Sequence, residues 1–145
     1  MKIRGLALAG ALALAAAGVA MAQEQTINAY VTELVESLAD DGQTRVGQIR
    51  LDEIGEGDSA EFGFDLDPEK SYFVYAACDD DCTDIDMFAF DFDDDIVDFD
   101  EEDDDLPFLM IGPGQSGDSM RIQVDMMACD ADLCVVGVGL YEIED

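Results

Sequence analysis

Two periods of apolar residues divide the chain. Ile27, Tyr30, Val31, Leu34, Val35 and Leu38 recur at helical spacing, Thr26 or Asn28 can cap the start of that helix, and Gly42 can end it. After Gly42 the period falls to two, the mark of strands with one face inward. Candidate strands run from Val46 to Ile54, Ser59 to Leu66, Ser71 to Cys78, Ile85 to Phe92, Ile96 to Asp100, Phe108 to Ile111, Met120 to Cys129 and Leu133 to Ile143. Between them lie turn segments: Gly55-Glu56-Gly57-Asp58, Asp67-Pro68-Glu69-Lys70 and Gly112-Pro113-Gly114-Gln115. The expected fold is therefore mainly β: an antiparallel β-sandwich, jelly-roll-like with about eight strands, preceded by one short amphipathic helix. No repeat or long linker splits it, so residues 23–42 are expected to form the helical segment and 43–145 the sandwich domain.

The first 22 residues follow a different rule. Lys2 and Arg4 precede an Ala/Leu/Gly run from Leu6 to Ala20, and Ala20-Met21-Ala22 has the small-x-small form of a cleavage site. This is the pattern of a signal peptide, shorter than the roughly 20 apolar residues of a membrane span and followed by polar Gln23-Glu24-Gln25. An exported protein, periplasmic or extracellular, is expected.

Charge then narrows the partners. The chain has 36 acidic and 6 basic residues and no histidine, a net charge of −30. Removal of residues 1–22 leaves only Arg45, Arg50, Lys70 and Arg121 as cations, 4 against 36, or −32. Such a surface repels nucleic acid and anionic membranes. Acidity throughout the chain suits solubility in high salt, a halophilic adaptation. That does not explain the concentration of 16 acids between Cys78 and Asp105.

Four cysteines in an exported chain favour disulfides. Cys78 and Cys82 enclose three aspartates, and Cys129 and Cys134 enclose Asp-Ala-Asp-Leu, each pair at a strand end. Local pairing is preferred, with crossed pairing between neighbouring strand ends as the rival. A four-cysteine zinc site is disfavoured, because its usual spacing leaves about two residues between ligands.

The strand Tyr72-Phe73-Val74-Tyr75-Ala76-Ala77, the pair Cys78 and Cys82, Asp84-Ile85-Asp86-Met87 leading to Asp91, the acidic stretch before Pro107 and the pair Cys129 and Cys134 follow one another in a recognisable order. In this order the segment from about Leu51 to Tyr141 resembles the bacterial pre-peptidase C-terminal domains and their uncharacterised secreted relatives. The resemblance implies a small β-sandwich that serves as a non-catalytic accessory module beside a secreted peptidase, some such modules binding calcium or aiding substrate attachment. It also implies that Ile85 and Met87 face inward, leaving Phe88 and Phe90 on an outer face beside Asp84 and Asp86. Two departures stand out: no peptidase accompanies the module, and Asp93-Asp94-Asp95 has no glycine where such a hairpin commonly has one.

Candidate chemistry follows from the acids. Asp91, Asp93, Asp95 and Glu102 match the first, third, fifth and twelfth positions of an EF-hand loop, but Ile96 replaces the glycine and the flanks alternate as strands. A calcium site of another kind is the stronger candidate, with Asp84 and Asp86 on one side of a strand and Asp100, Asp104 and Asp105 approaching from a neighbouring loop; solvated turns are the competing explanation. Without histidine, Ser-His and Cys-His catalysis is absent, and a glycosidase-like carboxylate pair carries no signal among 36 acids. Phe88 and Phe90 form either a binding surface or a floor for the N-terminal helix, which is expected to lay Leu34 and Val35 over them. Together these point to a non-catalytic, secreted, acidic binding module, calcium-stabilised in one version, with an unknown protein or carbohydrate ligand. The alternative is an accessory or inhibitory subunit of an exported hydrolase or peptidase.

Overall fold

The computed structural model describes residues 11–144, with side chains from residue 20 onward. Lys2 and Arg4, the positive start of the expected signal segment, lie outside the described residues. Helix α1 (Ala11–Ser37) runs unbroken past Ala22, because the alanine- and leucine-rich run before it favours helix strongly. Neither expected start cap acts as one. Thr26 donates its hydroxyl to the Ala22 carbonyl (2.8 Å), and the Asn28 carbonyl accepts from Thr32 (2.8 Å), so both lie inside the helix. Nor does Gly42 end it: the helix stops at Ser37, and Gly42, at φ 91°, shapes the turn into the first strand. No helix among the described residues is long and apolar enough to cross a membrane.

Nine strands follow: β1 (Gln43–Arg45), β2 (Arg50–Ile54), β3 (Ser59–Asp65), β4 (Tyr72–Cys78), β5 (Cys82–Phe90), β6 (Ile96–Asp100), β7 (Phe108–Ile111), β8 (Ser119–Cys129) and β9 (Cys134–Ile143). The additional strand is β1, upstream of the strand expected from Val46 to Ile54; that strand itself begins only at Arg50, after Gly47 at φ 74°. In one sheet the order is β2-β9-β4-β7, with β1 continuing the β2 side along the far end of β9; in the other it is β3-β8-β5-β6. All pairings are antiparallel, and β2 to β9 have jelly-roll connectivity.

The period of two sorts the side chains as expected. Phe62, Phe64, Val74, Ile85, Met87, Leu109, Ile111, Ile122, Val124, Val136 and Leu140 fill the space between the sheets. Strands β4 and β9 are buried on both faces, because a second apolar layer lies outside them: Tyr75, Ala77 and Tyr141 meet Leu34, Val35 and Leu38 of α1. The helix is seated here through Gly137 and Gly139, where an added Cβ would come within 2.8 Å of Val31 and Val35 respectively. Both valines are fully buried, each worth roughly 1.5–3 kcal/mol.

This position corrects one expectation. Leu34 and Val35 do not cover Phe88 or Phe90, which lie on the outer face of the opposite sheet. The small side of β9 offers a closer seat, and the two phenylalanines find cover in Phe99 and Arg121.

Both disulfides are local, Cys78–Cys82 and Cys129–Cys134. Cys82 and Cys129 stand opposite each other on β5 and β8, so the crossed alternative was a near neighbour. Closing each short loop contributes about 2 kcal/mol in the chain-entropy model. The two loops are also tied together: Asp130 N–H donates to the Asp81 carbonyl (2.8 Å), and the Asp79 carboxylate accepts from Val135 N–H (2.8 Å) and Asp81 N–H (3.3 Å).

Candidate binding surface

The dense acidic segment is largely occupied with its own backbone. Asp91 accepts from Asp93 N–H and Asp95 N–H, both at 2.9 Å, and so closes the β5–β6 turn with Asp94 at φ 64° in the place a glycine commonly takes. This arrangement, between two strands, is not an EF-hand. Asp98 accepts from Met110 N–H (2.9 Å) and Asp100 from Phe108 N–H (3.1 Å). Strand β7 ends its sheet, so these carboxylates of β6 satisfy edge donors that would otherwise be open to another strand, and they join the two sheets at this end.

The five candidate calcium ligands therefore divide. Asp100 also accepts from Glu102 N–H (3.1 Å), and Asp104 accepts from Leu106 N–H (2.9 Å). Asp105 acts instead on Tyr30 of α1, whose pKa is raised, chiefly by the hydrogen bond it donates to Asp80 (2.9 Å). Asp84 and Asp86 share the outer face of β5, as expected. The Asp84 carboxyl is pushed up by burial, then by Asp103 and Asp104, and one of its oxygens is buried without a partner. The Asp86 carboxyl is pushed up by burial, then by Asp84, Glu101, Asp125 and Asp103. Asp125 lies directly opposite on β8, where like charges oppose strand pairing. Asp84 and Asp86 thus share the repulsion of Asp103, with Asp104 acting on Asp84 alone, but among the described residues no three acidic or cysteine side chains form a group able to hold a metal ion.

The aromatic residues form a second pattern. Phe88 stacks on Phe99 of β6, with centroids 6.3 Å apart and planes inclined by 19°. Phe90 lies beneath the Arg121 guanidinium at 4.2 Å, and that guanidinium pairs with Glu61 (2.7 Å) and Asp94 (2.8 Å). Phe88 and Phe90 are consequently half-buried, covered by Phe99 and Arg121 and not by the helix.

Beyond Phe99 the surface drops into a shallow cleft of about 520 Å³ between β6 and β7, lined by Asp98, Phe99, Asp100, Glu101, Glu102, Phe108 and Met110. Phe99, Phe108 and Met110 are 56%, 55% and 57% exposed. Phe108 rests against Phe73 and Tyr75 at 6.4 and 6.5 Å, so its position is fixed from behind while its outer side faces solvent. No protein-family model matches the chain. No curated protein matches it either.

Phe99, Phe108 and Met110 were not among the candidate residues read from sequence. A signal for two of them was present: Phe108-Leu109-Met110-Ile111 is apolar on both faces, and only Leu109 and Ile111 can face the core of a sandwich. The position of Phe99 beside them depends on the approach of two sheet edges, which no local pattern encodes.

Proposed function

We propose that this protein is an exported, non-catalytic β-sandwich module that acts by binding, and that its binding surface is the cleft between β6 and β7. The observation that carries this reading is the convergence of three large, uncovered apolar side chains on one hollow. Single exposed apolar residues are ordinary, but a contiguous group rimmed by charge marks an interaction site. Phe99 is backed by Phe88, and Phe108 by Phe73 and Tyr75, so the surface is rigid before a ligand arrives. The half-buried Phe88 acts as its support, while Phe90 holds Arg121.

The test compares the disulfide-bonded protein with the triple variant Phe99→Ala/Phe108→Ala/Met110→Ala on arrays of glycans and peptides. The exposed positions should leave the melting temperature nearly unchanged, while ligands held by the native protein should bind at least about tenfold more weakly to the variant. Equal retention of the same ligands by both proteins would move the binding surface elsewhere.

A further inference from the structure

We propose that the cleft between β6 and β7 receives an arginine side chain of a partner protein, its guanidinium lying on Phe99 or Phe108 and paired with Glu101 and Glu102. This rests on the reading of the cleft as a binding surface and adds the chemistry of the occupant.

The molecule contains its own pattern for such a contact. On the same sheet, Arg121 lies 4.2 Å above the Phe90 ring and is gripped by the carboxylates of Glu61 and Asp94. A planar, weakly hydrated guanidinium suits that combination because it stacks on a ring while its edge donates to carboxylates. The cleft repeats the set, phenylalanine faces with carboxylates at the rim, and lacks only the cation. None of the chain's four described cations supplies it. Arg45 pairs with Glu36, Lys70 with Glu142 and Arg121 with Glu61 and Asp94, while Arg50 lies over Phe64. The same four ion pairs use neither Glu101 nor Glu102.

Complementarity also selects among occupants. A second copy of a chain carrying −30 is repelled, and its described arginines are engaged. A bare metal ion gains nothing from Phe99, Phe108 and Met110, whereas the three-carbon stem of arginine covers such a wall. Asp98 and Asp100 add negative charge and are held in place by the N–H groups of Met110 and Phe108. The neighbouring repulsion around Asp84 and Asp86 would be relieved by a cation arriving nearby.

The experiment titrates the full disulfide-bonded protein with acetyl-Gly-Ala-Arg-Ala-Gly-amide, and with the same peptide carrying lysine or citrulline, while the Met110 methyl resonance is followed. The arginine peptide should shift that resonance, the lysine peptide should bind about three- to fivefold more weakly, and the uncharged citrulline peptide should leave it in place. Phe99→Ala, Phe108→Ala and Glu101→Gln/Glu102→Gln should each weaken the arginine peptide about three- to fivefold, with Asp65→Asn on β3 as the unaffected control. Should an alanine variant melt early, the glutamine pair, which alters only exposed groups, decides the matter. Equal affinity for arginine and lysine with no effect of either phenylalanine would reduce the binding to counter-ion attraction and overturn the proposal. A silent Met110 methyl with the arginine peptide would overturn it too. If a neutral oligosaccharide such as cellohexaose then moves that methyl, the arginine assignment fails alone; if cellohexaose is also silent and the array ligands bind the triple variant as tightly as the native protein, the binding surface itself fails.

Discussion

The seat of α1 on β9 is open to a direct test by exchange of volume. Val31 is fully buried, and truncation to alanine removes two methyl groups, which costs about 2 kcal/mol from transfer and the cavity left behind. Gly137→Ala acts in the opposite sense: the new Cβ would stand 2.8 Å from Val31 Cγ1 and 3.0 Å from Leu51 Cδ2, an overpacking cost of about 1–2 kcal/mol. If the two residues share one space, the double variant should melt close to Val31→Ala alone, with about 1–2 kcal/mol of the summed cost recovered. For a domain of this size each kcal/mol corresponds to roughly 4 °C, so thermal unfolding followed by circular dichroism resolves the cycle. Additive losses within about 0.5 kcal/mol would refute the packing argument and mean that the helix is not held where the glycines lie.

Asp79→Ala should destabilise by about 2–3 kcal/mol, because it strands the buried Val135 N–H and removes one of the links between the disulfide loops; the exposed neighbour Asp80→Ala should cost much less in the same denaturant titration. Asp84→Asn should stabilise at neutral pH. A carboxyl whose folded pKa is raised contributes stability below its ordinary pKa of 3.8 and loses it as pH rises through the folded value, so the advantage of the asparagine should vanish below about pH 4, and a constant advantage would show that ionisation is not its cause. Calcium and sodium chloride of equal ionic strength should raise the melting temperature equally, since no three ligands converge among the described residues; an extra calcium gain abolished by Asp86→Asn would instead establish a metal site.

Local periodicity carried most of the architecture. The inward sets of β3 and β8 could be read from alternation, whereas β4, β5 and β9 carry apolar residues on both faces and alternation alone does not choose between them; short spacing favoured the local disulfides without removing the crossed rival. The helix stripe was legible too, but its partner was not: Gly137 and Gly139 look like weak strand positions until a helix is laid across them. The same limit applies to the acids. Asp84 and Asp86 were placed correctly on one outer face, while the employment of Asp98, Asp100 and Asp104 as backbone acceptors depends on which N–H groups the folded edges leave open. Carboxylate spacing alone is the same for a metal ligand and a turn closer.

Strand β9 follows the other described strands in sequence and lies against β1, β2 and β4, with α1 across its outer side. A chain extended only as far as Leu133 has no common neighbour for those three strands and only the β4 part of the seat for its helix. Assembly of that half of the molecule therefore waits for β9, whose contacts with α1, β1 and β2 span a long stretch of sequence. Contacts between residues so distant in sequence make the closing of that half a late and cooperative step of folding.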